Sequence, residues 1–517
     1  MKTTTKIVYD ILVPLALNSF ALLSTAQALV PPPDGGYPGG NTAEGQNALL
    51  SLTTGTFNTA VGFFALKNND LGNYNTAVGA GALFVNDDVM NTAVGAGALL
   101  LNTGGSNNTA TGAFALVNNL SGSANTAIGD RALLNNDFGE SNTAVGSGTL
   151  LFNSDGSGNS ALGWNALGLN TTGGGNTAVG SSALYENSEG DSNTAVGSST
   201  LFGNTVGFEN TAVGARALLY NQSGSENTAI GVDALSFSIF GSYNTAVGDS
   251  ALSNNSAGTD NTAIGLQAMF SNDSGIQNTA VGNAALHSNT AGTNNTAVGF
   301  NALGNSTGNG SIAIGSTAGE FVGSSNNVIA IGSPGDDVDN STWIGNIYGV
   351  TTQSGTTAPV IVSEDGQLGT LASSGRFKRD IADMEQASEA ILALRPVTFH
   401  YKNDTKNMPQ FGLIAEEVAT LNSALVLPDK EGKPYTVRYD AVNAMLLNEF
   451  LKEHRRVQEL KKAMAQQRQD FEGAIAQQQK MTEALVARLN EQEQRIQEVS
   501  AQVETSSPVR RMLVQNR

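Results

Sequence analysis

The chain has 517 residues, a formal net charge of −19, 60 glycines, no cysteine and only 14% charged residues. The hydrophobic fraction of 40% is too high for simple disorder, and the length accommodates about two to four domains. Without cysteine the chain has no disulfide, thiol nucleophile or cysteine-ligated zinc site. Its three histidines, His287, His400 and His454, are scattered, so we predict no metal and no cofactor.

The charge divides the chain into two parts. Of the 26 Lys and Arg residues, 21 lie in residues 373–517, whereas residues 7–372 contain only Lys67, Arg131 and Arg216. A segment so poor in cations is not expected to bind nucleic acid through phosphates or to dock on anionic lipid.

The N-terminus has the order of a secretory signal peptide. Two lysines precede an apolar run from Ile11 to Leu23, and Ala26-Gln27-Ala28 then predicts cleavage after Ala28, with residues 1–28 as the signal. An uncleaved anchor is the alternative, although about 13 apolar residues are short for a membrane span, which needs roughly 20. Residues 29–40 are a Pro/Gly-rich linker, and no later segment reads as a membrane span. We therefore expect a secreted or cell-surface protein.

Residues 41–349 are a repeat. The pattern Asn-Thr-Ala-Val-Gly or a close variant recurs with fourteen of fifteen intervals equal to 17 residues and one equal to 16. Its asparagines are Asn41, Asn58, Asn75, Asn91, Asn108, Asn125, Asn142, Asn159, Asn176, Asn193, Asn210, Asn227, Asn244, Asn261, Asn278 and Asn295. A fixed period near 20 is typical of stacked units, and several Gly per unit exclude helix. The pattern predicts a parallel β-solenoid of roughly 18 coils, a rod on the order of 80–90 Å long.

Each unit predicts two short strands, Thr-Ala-Val and Ala-Leu, separated by a bend at Gly and followed by a turn. Thr and Val point to one side of their strand and Ala to the other. Because Ile312 and Ile329 occupy the Thr position in late repeats, we predict that Thr faces the interior and that Ala faces another chain. Inward Thr argues against ice binding. The recurrent Asn is expected to stack as a ladder between coils.

The segment Ser311-Ile312-Ala313-Ile314-Gly315-Ser316-Thr317-Ala318 resembles the repeat of trimeric autotransporter adhesin heads. Over about residues 41–349, this resemblance implies a left-handed parallel β-roll that forms trimers. The period of 17 is longer than is usual in those heads, and the membrane anchor of that family is missing. The polar, acidic outer surface is compatible with a glycan or protein ligand and selects neither.

A second resemblance begins after a linker at 350–372. Ser373-Ser374-Gly375-Arg376-Phe377-Lys378 is followed by a helix-like run at 387–394, a strand at 397–401, the segment Phe411-Gly412-Leu413-Ile414-Ala415-Glu416-Glu417-Val418, a strand at 435–439 and a long helix. This order resembles the endosialidase-type intramolecular chaperone autoprotease of phage tailspikes and fibres. The match covers about residues 373–465 and implies a small α+β domain that trimerises.

That resemblance implies a serine autoprotease acting in cis. Ser373 would be the nucleophile, Lys378 the general base, and the bond between Ala372 and Ser373 the one cleaved. Ser374, which stands where Asp often follows the nucleophile, is the alternative nucleophile, and Glu416 stands where Gln is common.

The chemistry requires such a pair, since a hydroxyl is a weak nucleophile unless a neutral base takes its proton. A lysine becomes that base when desolvation or nearby cations, here Arg376 and Arg379, lower its pKa. The alternative is an ordinary turn beside a solvated basic patch.

Residues 450–505 predict a coiled coil that overlaps the end of the chaperone domain, and residues 506–517 predict a disordered tail. Apolar residues recur at heptad spacing. The main seam contains Phe450, Val457, Met464, Phe471, Leu485 and Val499, with Gln478 and Gln492 in phase, and the second seam contains Leu460, Ala474 and Met481. An isolated charged helix is the alternative.

Together these features predict a secreted homotrimeric, adhesin-like fibre whose C-terminal domain aligns three chains and then cleaves itself off. The alternatives are a phage-derived tail-fibre-like protein and a purely structural repeat protein that is not cleaved. A glycan-active enzyme is disfavoured, because no paired carboxylates recur beside aromatic platforms, and Trp164 and Trp343 are the only tryptophans.

Overall fold

A computed structural model describes residues 36–505 except 354 and 364. The predicted signal with its cleavage site at Ala28, most of the linker and the tail at 506–517 lie outside the described residues. The chain divides into two compact units, Met1–Gln353 and Ser354–Arg517.

The first unit is a parallel β-solenoid of about 18 turns, as predicted. One strand per coil joins a single sheet in which Thr pairs with Thr and Ala with Ala of the next coil. After Asn41–Glu44, these strands are Thr59–Val61, Thr76–Val78, Thr92–Val94, Thr109–Thr111, Thr126–Ile128, Thr143–Val145, Ser160–Leu162, Thr177–Val179, Thr194–Val196, Thr211–Val213, Thr228–Ile230, Thr245–Val247, Thr262–Ile264, Thr279–Val281, Thr296–Val298, Ile312–Ile314, Ile329–Ile331 and Thr342–Ile344. A minor sheet contains Val85–Asn86, Leu101–Asn102, Asn118–Asn119 and Asn135–Asn136.

The predicted orientation of this strand is wrong. Its Ala is fully buried inside the coil, as at Ala178, Ala195 and Ala212, whereas Thr and Val lie on the outer surface. Alternation in a strand says which residues share a side, and it does not say which side the chain curls around. Inward-facing threonine therefore no longer counts against ice binding.

The predicted second strand, Ala-Leu, is also wrong. The Ala is buried, but the following Leu, or Met269 in one coil, lies in a turn with φ between 48° and 53°. A left-handed conformation costs a branched residue about 1–2 kcal/mol. Full burial of the Leu side chain and a backbone hydrogen bond to the next coil, 2.9 Å for Leu184 N to Thr200 O, offset this cost.

The glycine that ends each Thr-Ala-Val-Gly segment is required by its backbone conformation and by a close approach to the next coil. At Gly180, φ is +139°, and an added Cβ would lie 2.3 Å from the carbonyl oxygen of Gly197 in the next coil. Only glycine adopts this conformation and permits this approach without strain.

The predicted asparagine ladder is present inside the coil. The backbone N–H of Asn193 donates to Oδ1 of Asn176 over 2.9 Å, and its Nδ2 donates to the Gly207 carbonyl over 2.8 Å. Equivalent bonds recur along the rod, for example at Asn159 and Asn210. The amides therefore satisfy buried backbone groups at a corner where the chain has no regular sheet.

Both ends of the described solenoid are closed. At the start, strand Gly36–Tyr37 pairs antiparallel with Asn41–Glu44 and covers the edge of the first coil. At the last strand, Trp343 occupies the register position of Ala330, packs on the core and donates from Nε1 to Ser341 Oγ over 2.8 Å. The first contact covers part of a sheet edge that would otherwise be open to pairing with other chains, and Trp343 covers the end of the apolar core.

The described residues of the second unit form three small antiparallel hairpins and two α-helices. The strands pair Ile361–Val362 with Leu368–Gly369, Val397–Phe399 with Gln410–Gly412, and Val426–Pro428 with Pro434–Val437. Helix α1 spans Ala415–Leu421, helix α2 spans Tyr439–Glu504, and 3₁₀ turns span Gly375–Phe377, Glu385–Ala393 and Ser423–Leu425. A core of Val418, Leu425 and Val437 holds α1 against the third hairpin and the start of α2.

Candidate functional site

Ser373 and Lys378 lie on an exposed segment at the start of the matched motifs. A single 3₁₀ turn at Gly375–Phe377 separates them, with Phe377 N bonded to Ser374 O over 3.0 Å and Lys378 N bonded to Gly375 O over 3.1 Å. Within the described residues, neither side chain has a hydrogen bond to the other. The predicted pair therefore stays a prediction, and a single chain supplies no burial around Lys378.

The flanking cations are placed differently. The Arg376 guanidinium lies 4.7 Å from the centre of the Phe377 ring, and Arg379 contacts the carboxylate of Asp380 over 3.8 Å. Both contacts are at the surface, where such interactions contribute little. The cationic environment that the predicted chemistry needs is thus present in the sequence around Lys378 without being ordered into a pocket by one chain.

Two other motif residues contact each other and hold the domain together. The Tyr439 hydroxyl accepts a hydrogen bond from the backbone N–H of Leu413 over 3.0 Å. A Cβ on the neighbouring Gly412 would lie 2.8 Å from that hydroxyl oxygen, which explains the glycine. This contact connects the second hairpin to the first turn of α2.

Glu417, the second of the two acidic residues in the central motif, also holds the domain together. Glu417 forms a two-point ion pair with Arg395, one bond of which, from Nε to Oε2, is 3.0 Å long. This hydrogen-bonded pair lowers the pKa of Glu417 and raises that of Arg395. Because Arg395 lies two residues before the strand Val397–Phe399, the pair fixes α1 beside the second hairpin.

The motifs around Gly412, Glu417 and Val418 therefore form the framework of the small domain. The segment that begins at Ser373 precedes this framework and is exposed. Residues 373–427 match the family described as chaperone of endosialidase. Searches of curated proteins and of solved structures gave no match.

The second unit also contains a Ser/Lys contact that the sequence did not reveal, between a residue inside the match and a residue of α2. Ser388 is fully buried, and its hydroxyl lies 3.3 Å from Lys452 Nζ and 2.7 Å from Asn448 Nδ2, and it hydrogen-bonds the Glu449 carboxylate. Lys452 in turn bonds Glu449 over 2.6 Å.

This cluster is a brace between the 3₁₀ helix Glu385–Ala393 and α2. The bond to Glu449 raises the pKa of Lys452, and the bond from Lys452 lowers the pKa of Glu449. A lysine held protonated beside a carboxylate cannot take a proton from serine. Asn448 and Lys452 are four residues apart and lie on one face of α2, which is the sequence signal for this contact. The heptad pattern marks a different face, the apolar one.

Helix α2 begins after the residues that match the endosialidase-chaperone family, which end at 427, and lies entirely outside that match. It has 66 residues, which corresponds to about 100 Å, and none of them is buried. Its heptad residues are exposed, for example Phe450, Val457, Met464, Phe471 and Leu485. Among the residues that the structure describes, no helix has the length and apolarity to cross a membrane.

Proposed function

We propose that this chain is the precursor of an exported homotrimeric fibre, and that its endosialidase-chaperone domain aligns three copies and then separates by cleavage between Ala372 and Ser373. The observation that carries the proposal is the match at residues 373–427, which follows a solenoid of near-identical coils and the linker at 350–372. The signal-like sequence at residues 1–28 supports export.

The long helix supports assembly. Helices in proteins gain most of their stability by packing an apolar face on a neighbour, and α2 has two apolar seams without any buried residue. Three copies of such a helix would cover the seams by coiled-coil packing.

The small domain before α2 supports the same conclusion. Beside its compact core it leaves large apolar side chains at the surface, and these are Phe377, Ile381, Leu392, Phe411 and Tyr435. So many exposed large apolar groups on so small a domain are typical of a protein whose surface another subunit covers.

In the solenoid, the outward Thr-x-Val face is the surface proposed to join the chains. From the second coil onward its strands place only Thr, Ser, Val, Ile or Leu outward, in register, and the face bears no charge. The opposite assignment, through Ala, is excluded because the alanines are inside each chain. A flat, uncharged, partly apolar sheet face is suited to packing on its own copies.

Near-identical coils create a problem of register. Three chains shifted by one coil would bury almost the same face, so the repeat by itself discriminates weakly against misalignment. A C-terminal domain that trimerises first sets the alignment, and coils then pair in order from that end. Removal of the domain afterwards leaves a fibre that cannot be realigned.

The cleavage step is proposed as follows. Lys378, uncharged, accepts the hydroxyl proton of Ser373, and Oγ attacks the carbonyl carbon of Ala372. The peptide C–N bond breaks as the proton passes to the leaving amine of Ser373, which leaves an ester on Oγ. Water then hydrolyses the ester, giving a carboxylate at Ala372 and restoring the hydroxyl. We place the desolvation of Lys378 in the assembled trimer, because one chain leaves it exposed.

The test is expression of the full chain as wild type, Ser373→Ala, Lys378→Ala and the matched control Ser374→Ala, with intact mass and molar mass in solution. We expect wild type and Ser374→Ala to yield two fragments that meet at Ala372 and Ser373. Both dyad variants should remain intact and trimeric. An uncleaved wild type refutes the autoprotease, and a monomeric Ser373→Ala variant refutes the trimer.

Ice binding is a second candidate, because the outward threonines form a regular ladder on a flat sheet. It requires the face to be open to water, whereas the fibre requires it to be covered. Thermal hysteresis measured on the purified solenoid, together with a monomeric mass, would favour ice binding over the fibre.

A further inference from the structure

A second ladder of buried asparagines runs parallel to the first. In the continuous part of this ladder, each side chain donates from Nδ2 to Oδ1 of the residue one coil earlier and to a glycine carbonyl three residues later, as Asn187 does to Asn170 over 2.8 Å and to Gly190 over 2.9 Å. Asn86 donates to the Asp88 carbonyl instead of a glycine, and Asn69 and Asn255 have no asparagine one coil earlier. The members are Asn69, Asn86, Asn102, Asn119, Asn136, Asn153, Asn170, Asn187, Asn204, Asn221, Asn255, Asn272 and Asn289. Where the ladder is continuous, every amide oxygen and nitrogen has a partner inside the coil.

Serine interrupts this ladder at Ser238 and Ser306. Both are fully buried. In the described part of the chain, four buried side-chain polar atoms lack a hydrogen-bond partner, and they are Asn221 Oδ1, Ser238 Oγ, Asn289 Oδ1 and Ser306 Oγ. The unpartnered atoms therefore coincide with the two interruptions, one asparagine oxygen and one serine hydroxyl at each.

The cause is the length of the side chain. Serine lacks the amide nitrogen that would donate to the preceding asparagine, and its hydroxyl does not reach that oxygen. Replacing an asparagine side chain by serine also removes two heavy atoms and leaves space on the order of one water molecule, about 30 Å³. Leaving a buried acceptor unpaired is unfavourable, so the gap favours a small group that both donates and accepts.

We propose that each interruption is an internal hydration site that holds one structural water. At the first, the water donates one hydrogen to Asn221 Oδ1 and the other to Ser238 Oγ. It accepts from Asn255 Nδ2, which already donates to the Gly258 carbonyl over 2.8 Å and has a second hydrogen for the gap. At the second, the water bridges Asn289 Oδ1 and Ser306 Oγ. Three or two polar partners are typical of buried waters.

At these two sites the connection between adjacent coils is weaker than in the rest of the ladder. An asparagine side chain is covalently attached to its own coil and hydrogen-bonds directly to the adjacent coil. A water molecule is attached to neither coil, and it exchanges with solvent when a coil opens. We therefore expect backbone amides beside residue 238 to exchange faster than those at the equivalent positions beside Asn204.

The experiment compares the full chain as wild type, Ser238→Asn and Asn204→Ser by a high-resolution crystal structure and by hydrogen exchange with mass spectrometry. Wild type should contain one ordered water at each interruption. Ser238→Asn should lose the water at 238 and keep the one at 306, which is the internal control. Its amides around residue 238 should exchange at least a few-fold more slowly.

Asn204→Ser is the matched control, since it creates a third interruption in a continuous part of the ladder. It should acquire a water between Asn187 and residue 204 and exchange faster there. A wild-type structure in which Ser238 Oγ bonds Asn221 Oδ1 directly, with no water, overturns the proposal. Unchanged exchange in both variants overturns the expected local opening.

Discussion

The proposed trimer face gives the most direct test of the corrected strand orientation. Val213 and Ile230 point outward from neighbouring strands and are 37% and 43% exposed in one chain. Complete burial of such a side chain contributes about 1.5–3 kcal/mol, so covering the remaining two-fifths contributes about 0.6–1.2 kcal/mol. Two positions in each of three chains therefore contribute about 4–7 kcal/mol to packing of the chains.

The variant Val213→Asp/Ile230→Asp removes that contribution and adds six carboxylates to an uncharged interface. Since each 1.4 kcal/mol is a factor of ten, local pairing of the solenoids should weaken by roughly a thousandfold or more. The stability of a single solenoid should hardly change, because both side chains are outside its core.

The assay uses the absence of cysteine in the native chain. A single Val247→Cys substitution on the same face provides the thiol, and a short bifunctional maleimide measures how often two solenoids meet at that coil. The control variant Val206→Asp/Val232→Asp places the same charges at turn positions of similar exposure, 45% and 41%. Equal cross-linking in the two variants, or none in the parent, would refute the assignment of the face.

Two further predictions concern the solenoid itself. Gly214→Ala should strongly lower the unfolding temperature of the solenoid, because φ is +134° and the added Cβ would lie 2.3 Å from the Gly231 oxygen. Thermal denaturation measures this effect, and the control variant Ala215→Gly should change the unfolding temperature only slightly. Asp337→Asn should reduce the acid sensitivity of the last coils. Hydrogen bonds from Ser325, chiefly its backbone N–H, lower the pKa of Asp337, so its stabilisation is present above the unfolded-state pKa of about 3.9 and is lost as the pH falls through the lower folded value. Hydrogen exchange at pH 3 and pH 7 checks this, and an identical pH dependence in both proteins would contradict it.

The sequence alone was sufficient for the solenoid, its coil length and the asparagine ladder. Repetition makes those features visible, because a residue needed for backbone geometry returns in every coil. Gly180 and its equivalents are constrained by φ and by the next carbonyl, and Asn193 and its equivalents by buried backbone groups. The order of motifs from Ser373 to Val418 was likewise enough to predict the chaperone family.

Tertiary structure decided which face of the strand is inside. Alternation pairs Thr with Val against Ala, but the direction in which the chain curls depends on the left-handed turn at Leu184 and its equivalents, a conformation that no pattern of polarity encodes. The chain curls toward Ala because the inside of each coil already contains the buried Leu and Asn side chains and has room only for a small one, which leaves Thr and Val for the surface.

The structure also explains why 21 of the 26 Lys and Arg residues lie in residues 373–517. The solenoid needs few cations because its interior is held by neutral amides and alanines, and from the second coil onward its strand face bears no charge. The cations collect after residue 373, where Arg395 and Lys452 form ion pairs that join short elements with little core. Sequence shows that boundary, and only the structure shows that those two residues hold the fold while Lys378 stays free of it.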